Sequence, residues 1–204
     1  MTRDQEGAPA NADRIRPYRP EDRAAVYDVC VRTADIGADA RGRFASDDLP
    51  GDIWAGPYVD LEPESAFVVE QDGAVVGYVI AAADTRAFVE RWRTEWLPYF
   101  AERYERNDDT AAGFRPERML IPELDEFPAH LHIDLLPEAQ GRGWGRALIR
   151  RLLAELRERG VPGVHLGVHP DNSGAIAFYR RLGFTPLPSE PNGTLLGIRT
   201  DAEI

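Results

Sequence analysis

The stretch that most constrains this chain is Gln140-Gly141-Arg142-Gly143-Trp144-Gly145, set between an alternating apolar segment at 131–136 and a long amphipathic segment that runs to Arg159. Alternate glycines let backbone N–H groups turn toward an anion without side-chain obstruction. A helix opening immediately afterwards points its positive dipole end at the same place. Strand, glycine loop and helix in that order read as an α/β unit holding a pyrophosphate; the competing reading is a turn that needs glycine only for close strand–helix packing. A phosphate loop ending in Gly-Lys-Ser/Thr is excluded, because all 24 basic residues are arginine. A dinucleotide fingerprint also fails: counting from Gly141 and Gly143, its next glycine would fall at Arg146, and the loop lies late in the chain.

The 204 residues suit a single domain with room for a small-molecule pocket. Residues 1–13 are small and polar and are expected to form a disordered tail, leaving 14–204 as the domain. A net charge of -11 argues against nucleic acid as a partner and mildly favours a cationic one. Cys30, the one cysteine, lies between Val29 and Val31 and reads as a small core residue. No membrane-length apolar run, signal peptide or transit peptide is visible, so a soluble, cytoplasmic protein is expected.

Along the chain, 15–18 predicts a strand, and Pro20-Glu21-Asp22 opens a helix carrying Ala25, Val26, Val29 and Cys30 at helical spacing. Residues 37–57 read as irregular, with one helical turn near 48–55. Two apolar runs at 65–70 and 74–82, joined by Asp72-Gly73, predict a hairpin. Residues 85–104 place Phe88, Val89, Trp92, Trp96, Tyr99 and Phe100 at three- and four-residue steps, an aromatic helix interrupted at Pro98 that is either core or the wall of a pocket. The acidic, aperiodic segment 107–128 is expected to be a long loop of the kind that serves as a lid. A strand at 131–136, a helix from 142 or 143 to Arg159, a strand at 164–168, a helix at 173–182 and strands at 184–187 and 194–199 follow. This order predicts a mixed sheet with helices on both faces, and the last two strands offer an edge for a homodimer.

Alternation in 131–136 puts His132 and Asp134 on one face of their strand, about 7 Å apart. His165 and His169 fall on the next strand and its end, without metal-ligand spacing, so no metal is expected. In the short helix, Ala175, Phe178 and Leu182 share a face expected to pack on the sheet. Tyr179 is then turned about 100° away, and Asn172 precedes the helix as its cap.

Gln140, Gly143 and Gly145 fill the Gln/Arg-x-x-Gly-x-Gly/Ala loop of the Gcn5-related N-acetyltransferase (GNAT) family, which the chain resembles. The run His169-Pro170-Asp171-Asn172-Ser173-Gly174-Ala175-Ile176-Ala177-Phe178-Tyr179-Arg180-Arg181-Leu182-Gly183-Phe184 is similar to that family's second cofactor motif, Asn-x-x-Ala-x-x-Phe-Tyr-x-x-x-Gly-Phe. The resemblance implies a GNAT fold of about seven strands, splayed between two central parallel strands, with acetyl-CoA as co-substrate. It implies cofactor contacts from Leu135, Leu136, Gln140, Gly141, Arg142, Gly143, Trp144, Gly145, Arg146, Asn172, Ala175, Phe178 and Tyr179. Tyr179 then protonates the departing thiolate, and Asp134, partnered by His132, is the base or substrate anchor.

The implied activity is transfer of an acetyl group to a small-molecule or peptide amine by direct attack. A module that binds acetyl-CoA without turnover is the second reading. Gly77-Tyr78-Val79-Ile80, followed by 85–100 with Trp96-Leu97-Pro98, looks like the acetyltransferase-like domain of the animal O-GlcNAc hydrolases and its free-standing bacterial relatives, a similarity spanning 14–199. The glycine loop, degraded in the animal domain, is intact here, which favours acetyl-CoA binding. Sugar cleavage is not implied.

Overall fold

The computed structural model describes residues 13–189 and 194–204. The tail expected over 1–13 lies, apart from the exposed Asp13, outside the described residues. Seven strands form one mixed sheet in the order β1-β2-β3-β4-β5-β7-β6. They are β1 (Arg14–Pro17), β2 (Ala66–Gln71), β3 (Ala74–Ala82), β4 (Ala129–Leu135), β5 (Gly163–Gly167), β6 (Thr185–Pro186) and β7 (Leu195–Arg199). The β2–β3 hairpin turns on Asp72 (φ 49°) and Gly73 (φ 81°), whose paired positive φ matches the right-handed twist of the two strands.

The helices are α1 (Arg23–Val31), α2 (Asp48–Trp54), α3 (Gly56–Leu61), α4 (Thr85–Arg91), α5 (Leu97–Arg103), α6 (Trp144–Glu158) and α7 (Ser173–Arg181). Leu148, Ile149, Leu152, Leu153 and Leu156 form the buried stripe of α6, which packs on β2 and β3. On the opposite face α1 and α3 cover β3, with Cys30 and Tyr58 buried there. No described helix is long and apolar enough to cross a membrane.

The pairing of β4 with β5 positions the site. These neighbours are parallel and paired at Ala129↔Val164 and His130↔His165, beyond which the ladder ends and the strands diverge. On its other side β4 stays paired to β3 as far as Gly77↔Leu135. The Leu136 N–H donates to Val76 O at 2.9 Å, so Asp134 exchanges backbone bonds with Tyr78. The backbone groups of Ile133 and Leu135 then face the side from which β5 has departed.

Three expectations are corrected. Residues 37–57 are not a largely irregular stretch with one turn, because α2 and α3 occupy its second half; Pro50, Gly51, Gly56 and Pro57 interrupt the periodicity that would reveal them. The aromatic helix does break, but as a π turn at Trp92–Trp96 just before Pro98, which sits in the first turn of α5 where its missing N–H is harmless. The closing strands do not both offer an edge: β7 is interior, between β5 and β6, leaving the two-residue β6 outermost at that end.

Segment 104–128 is pinned to the body by buried Phe114, Met119, Leu124 and Phe127, with the Phe114 ring edge-on to Phe100. Trp92 Nε1 donates to Gly113 O at 3.1 Å, and Trp96 Nε1 to Asp52 O at 3.0 Å. Trp92, Trp96 and Phe100 are therefore core, and Tyr99 is exposed.

Candidate active site

A cavity of about 610 Å³ occupies the splay. One wall is Ile133, Asp134 and Leu135 of β4, and a second is Gln140, Gly141, Gly143, Gly145 and Arg146. The third is Asn172, Gly174, Ala175, Phe178, Tyr179, Arg181 and Leu182, while Thr33, Ile36 and Gly37 close the end beyond α1. Ten of the thirteen residues expected to contact the cofactor line this cavity, as does Asp134; Leu136, Arg142 and Trp144 do not. Leu136 is buried and its N–H is spent on Val76, Arg142 points to solvent from the loop, and Trp144 packs against the core.

Gly141 (φ 72°) and Gly143 (φ 86°) both take the left-handed conformation, and Gly143 caps the N-terminus of α6. A Cβ at either position meets nothing within 4 Å, so the backbone angle rather than space requires glycine there. At Gly145 space is the reason: a Cβ would lie 2.9 Å from Phe178 Cζ, where α6 and α7 close on one another. Gln140 ties the loop to the strand, its Nε2 donating to Leu135 O at 2.9 Å. Asn172 does cap α7, accepting the Ala175 N–H on Oδ1 at 3.0 Å, and also borders the cavity.

Arg146 and Arg181 are exposed at the rim and make no ion pair among the described residues. Unpaired guanidinium groups beside two left-handed glycines and a helix N-terminus form a concave cationic cradle, which fits a pyrophosphate.

Tyr179 is the buried residue of α7, with its ring against Phe178 (5.3 Å) and Phe184 (5.4 Å). The expected arrangement holds in part: Leu182 is buried and Tyr179 borders the cavity, but the Tyr179 ring is also packed in the core. Ala175 and Phe178, assigned to the sheet, are partly open to the cavity, because α7 borders the splay instead of lying flat on paired strands. The Tyr179 hydroxyl has no hydrogen-bond partner among the described residues, yet is not a buried unpaired atom, so it opens on the cavity. Burial and the nearby Asp134 carboxylate hold its phenol well above the ordinary tyrosine range, keeping it protonated.

Asp134 and His132 do not form the expected pair. Asp134 Oδ2 accepts the Tyr78 hydroxyl at 2.6 Å, and burial raises its carboxyl above the usual aspartate value against that bond and one from Thr33. His132 instead bonds Tyr58, its Nε2 lying 3.0 Å from the hydroxyl. The same hydroxyl is 2.8 Å from His130 Nε2, and His130 Nδ1 is 2.8 Å from Thr85 Oγ1.

Sequence reasoning missed several residues. Ile36 carries a φ of 53°, rare for a β-branched residue, in the turn after α1; the Ile36-Gly37 pair following an apolar helix was its faint signal. Arg181 was readable as the basic end of α7, but its place at the cavity rim depends on the splay. Segment 104–128 contributes nothing to the lining and so is not a lid on this cavity; it lays Met119 and Arg118 against Tyr58 and Trp54.

Among the described residues no group of three or more His, Cys, Asp or Glu is arranged to hold a metal ion.

The model of the acetyltransferase (GNAT) family matches residues 36–184. Protein O-GlcNAcase of Rattus norvegicus is 28% identical over 180 residues, which is 83% of this chain but 20% of that protein, so the chain spans about a fifth of its length. A mycothiol acetyltransferase of Nocardia farcinica is 52% identical over 78 residues, 38% of this chain and 26% of that one. Among solved structures, SsHAT superposes with a TM-score of 0.89 at 48% identity, covering 95% of this chain and 100% of that chain.

Proposed function

Because the chain belongs to the acetyltransferase (GNAT) family, we propose that it transfers the acetyl group of acetyl-CoA to a primary amine by direct attack within a ternary complex. The observation that carries this reading is one cavity holding both an anion cradle and a protonated phenol: Gly141, Gly143, Arg146 and Arg181 at one end, Tyr179 and the end of β4 at the other.

The pyrophosphate lies on the loop and the N-terminus of α6, and the pantetheine arm runs along the edge of β4 left bare by the splay. The Leu135 N–H faces that edge and polarises the thioester carbonyl, whose oxygen gains charge as the amine attacks. The carbon–nitrogen bond forms and the carbon–sulfur bond breaks. Tyr179 donates its proton to the departing thiolate and recovers one from solvent, and the acylated nitrogen gives one proton up, so protons balance with no covalent enzyme intermediate. Asp134, tied to Tyr78, acts on Tyr179: its charge discourages phenol ionisation and keeps the acid loaded.

The test is release of free thiol from acetyl-CoA across a panel of primary amines, with acetylated amine counted by mass spectrometry. Equal yields of thiol and acetylated amine are expected. Calorimetric binding of acetyl-CoA with no thiol released by any amine would replace this reading by a binding module without turnover.

A further inference from the structure

Resting on the amine-acetylation reading above, we propose that His132 meets the acceptor nitrogen, its bare Nδ1 taking a hydrogen bond from the N–H of a neutral, weakly basic amine. The argument is one of proton counting along a buried chain. The Thr85 hydroxyl has one proton and donates it to Pro128 O at 2.7 Å, so toward His130 it accepts, and His130 carries its proton on Nδ1. His130 is held neutral, burial first and then the neighbouring His165, His132 and Arg118 pushing its imidazolium far below the ordinary value, so its Nε2 is a bare acceptor. The single proton of Tyr58 goes to that Nε2 at 2.8 Å, the Met119 sulfur at 3.5 Å being the weaker acceptor. Tyr58 must then accept from His132 Nε2 at 3.0 Å.

His132 is thereby fixed with its proton on Nε2. Its Nδ1 has no partner among the described residues and is not a buried unpaired atom, so it keeps solvent access. It sits on β4 two residues past the last rung shared with β5, where the splay begins; His132 does not itself line the cavity, but it shares a face of the strand with Asp134, which does.

The groups around His132 come from four elements. Tyr58 is on α3, His130 and Asp134 on β4, His165 on β5 and Arg118 on segment 104–128. Arg118 stacks on Trp54 at 4.3 Å, and Trp54 meets the His132 ring edge-on at 5.6 Å. Among the described residues no carboxylate pairs with Arg118, and its buried Nη2 has no hydrogen-bond partner. Asp134, the one acid of the set, is engaged by Tyr78. A cation without a counter-charge repels an ammonium ion, and burial with Arg118 holds the His132 imidazolium down to about 3. The site therefore accepts an amine that arrives already neutral, and a lone Nδ1 aims its lone pair by holding one N–H.

The experiment compares alanine amide with the side chain of Nα-acetyl-lysine amide, using thiol release by the full chain between about pH 6.5 and pH 10.5. With amine values of about 8 and about 10.4, the neutral fractions at pH 7.5 differ by about 200-fold, and kcat/KM is expected to differ to the same order. Each profile should level off at its own amine's value. Profiles that share one limb at the same pH would identify a titrating protein base and overturn the proposal.

His132→Phe should lower kcat/KM for alanine amide by about 100-fold, with acetyl-CoA affinity held within about threefold. His132→Asn, whose side-chain oxygen can stand near Nδ1, should keep about a tenth of the rate. Tyr58→Phe should lower the rate by roughly tenfold, the worth of one hydrogen bond. Undiminished rates in His132→Phe would overturn the proposal. Acetyl-CoA binding with no turnover of any amine overturns the acetylation reading itself, a result distinct from turnover with a shared pH limb.

Discussion

Replacing Tyr179 by Phe separates chemistry from packing. The hydroxyl makes no hydrogen bond among the described residues and opens on the cavity, while the ring's contacts with Phe178 and Phe184 are kept by phenylalanine. Folding stability should accordingly move by less than about 0.5 kcal/mol, as for a substitution that strands no partner. The transfer step should lose the general acid, about 100- to 10,000-fold in kcat, equivalent to about 2.7–5.4 kcal/mol of transition-state stabilisation. Acetyl-CoA affinity should stay within about threefold, since the phenol acts on the leaving sulfur and not on the phosphates. Burial and Asp134 raise the phenol, so the wild-type rate should show no alkaline fall assignable to Tyr179 up to about pH 10. The measurements are single-turnover thiol release, calorimetric titration with acetyl-CoA, and urea unfolding. A variant that turns over within about threefold of wild type would refute Tyr179 as the acid; a matching loss of stability would assign the effect to packing.

Gly143→Val should weaken acetyl-CoA binding by about tenfold, because leaving the φ of 86° relieves about 1–2 kcal/mol of strain that binding must restore; Gly143→Asn, tolerant of that region, should lose less, and unchanged affinity in the valine variant would refute the anion cradle. His132→Asn should flatten acid destabilisation. Unfolded His132 takes a proton as pH falls through about 6.5, whereas folded His132 resists until about 3. In that window the unfolded state holds more protons, so wild type loses stability that the variant keeps, about 2 kcal/mol by pH 5. Parallel unfolding curves from pH 7.5 to pH 5 would show that His132 is not held neutral by the fold.

Elements with a repeating pattern were legible. The apolar stripe of α6, the Asp72-Gly73 hairpin and the alternation of β4 each repeat with the period of their structure, and each formed within a residue or two of expectation. Helix α2 was legible only as one turn near 48–55 and α3 was not, because Pro and Gly in seven- and six-residue segments break the period before it can be counted. The glycine loop showed where an anion would sit, since positive φ at a helix start is written in residue type. Which loop neighbours line the cavity was not written there: Arg146 does and Arg142 does not.

The sequence by itself determined the family, the order of the elements and the glycine loop that opens α6, all of which rest on local spacing along the chain. The tertiary structure decided the direction of each polar side chain once the strands parted. His132 and Asp134 share a face by alternation, yet one bonds Tyr58 from α3 and the other Tyr78 from β3. Those partners lie 74 and 56 residues away in the chain. A hydrogen bond between residues so far apart is fixed by packing, and no period in the sequence encodes it.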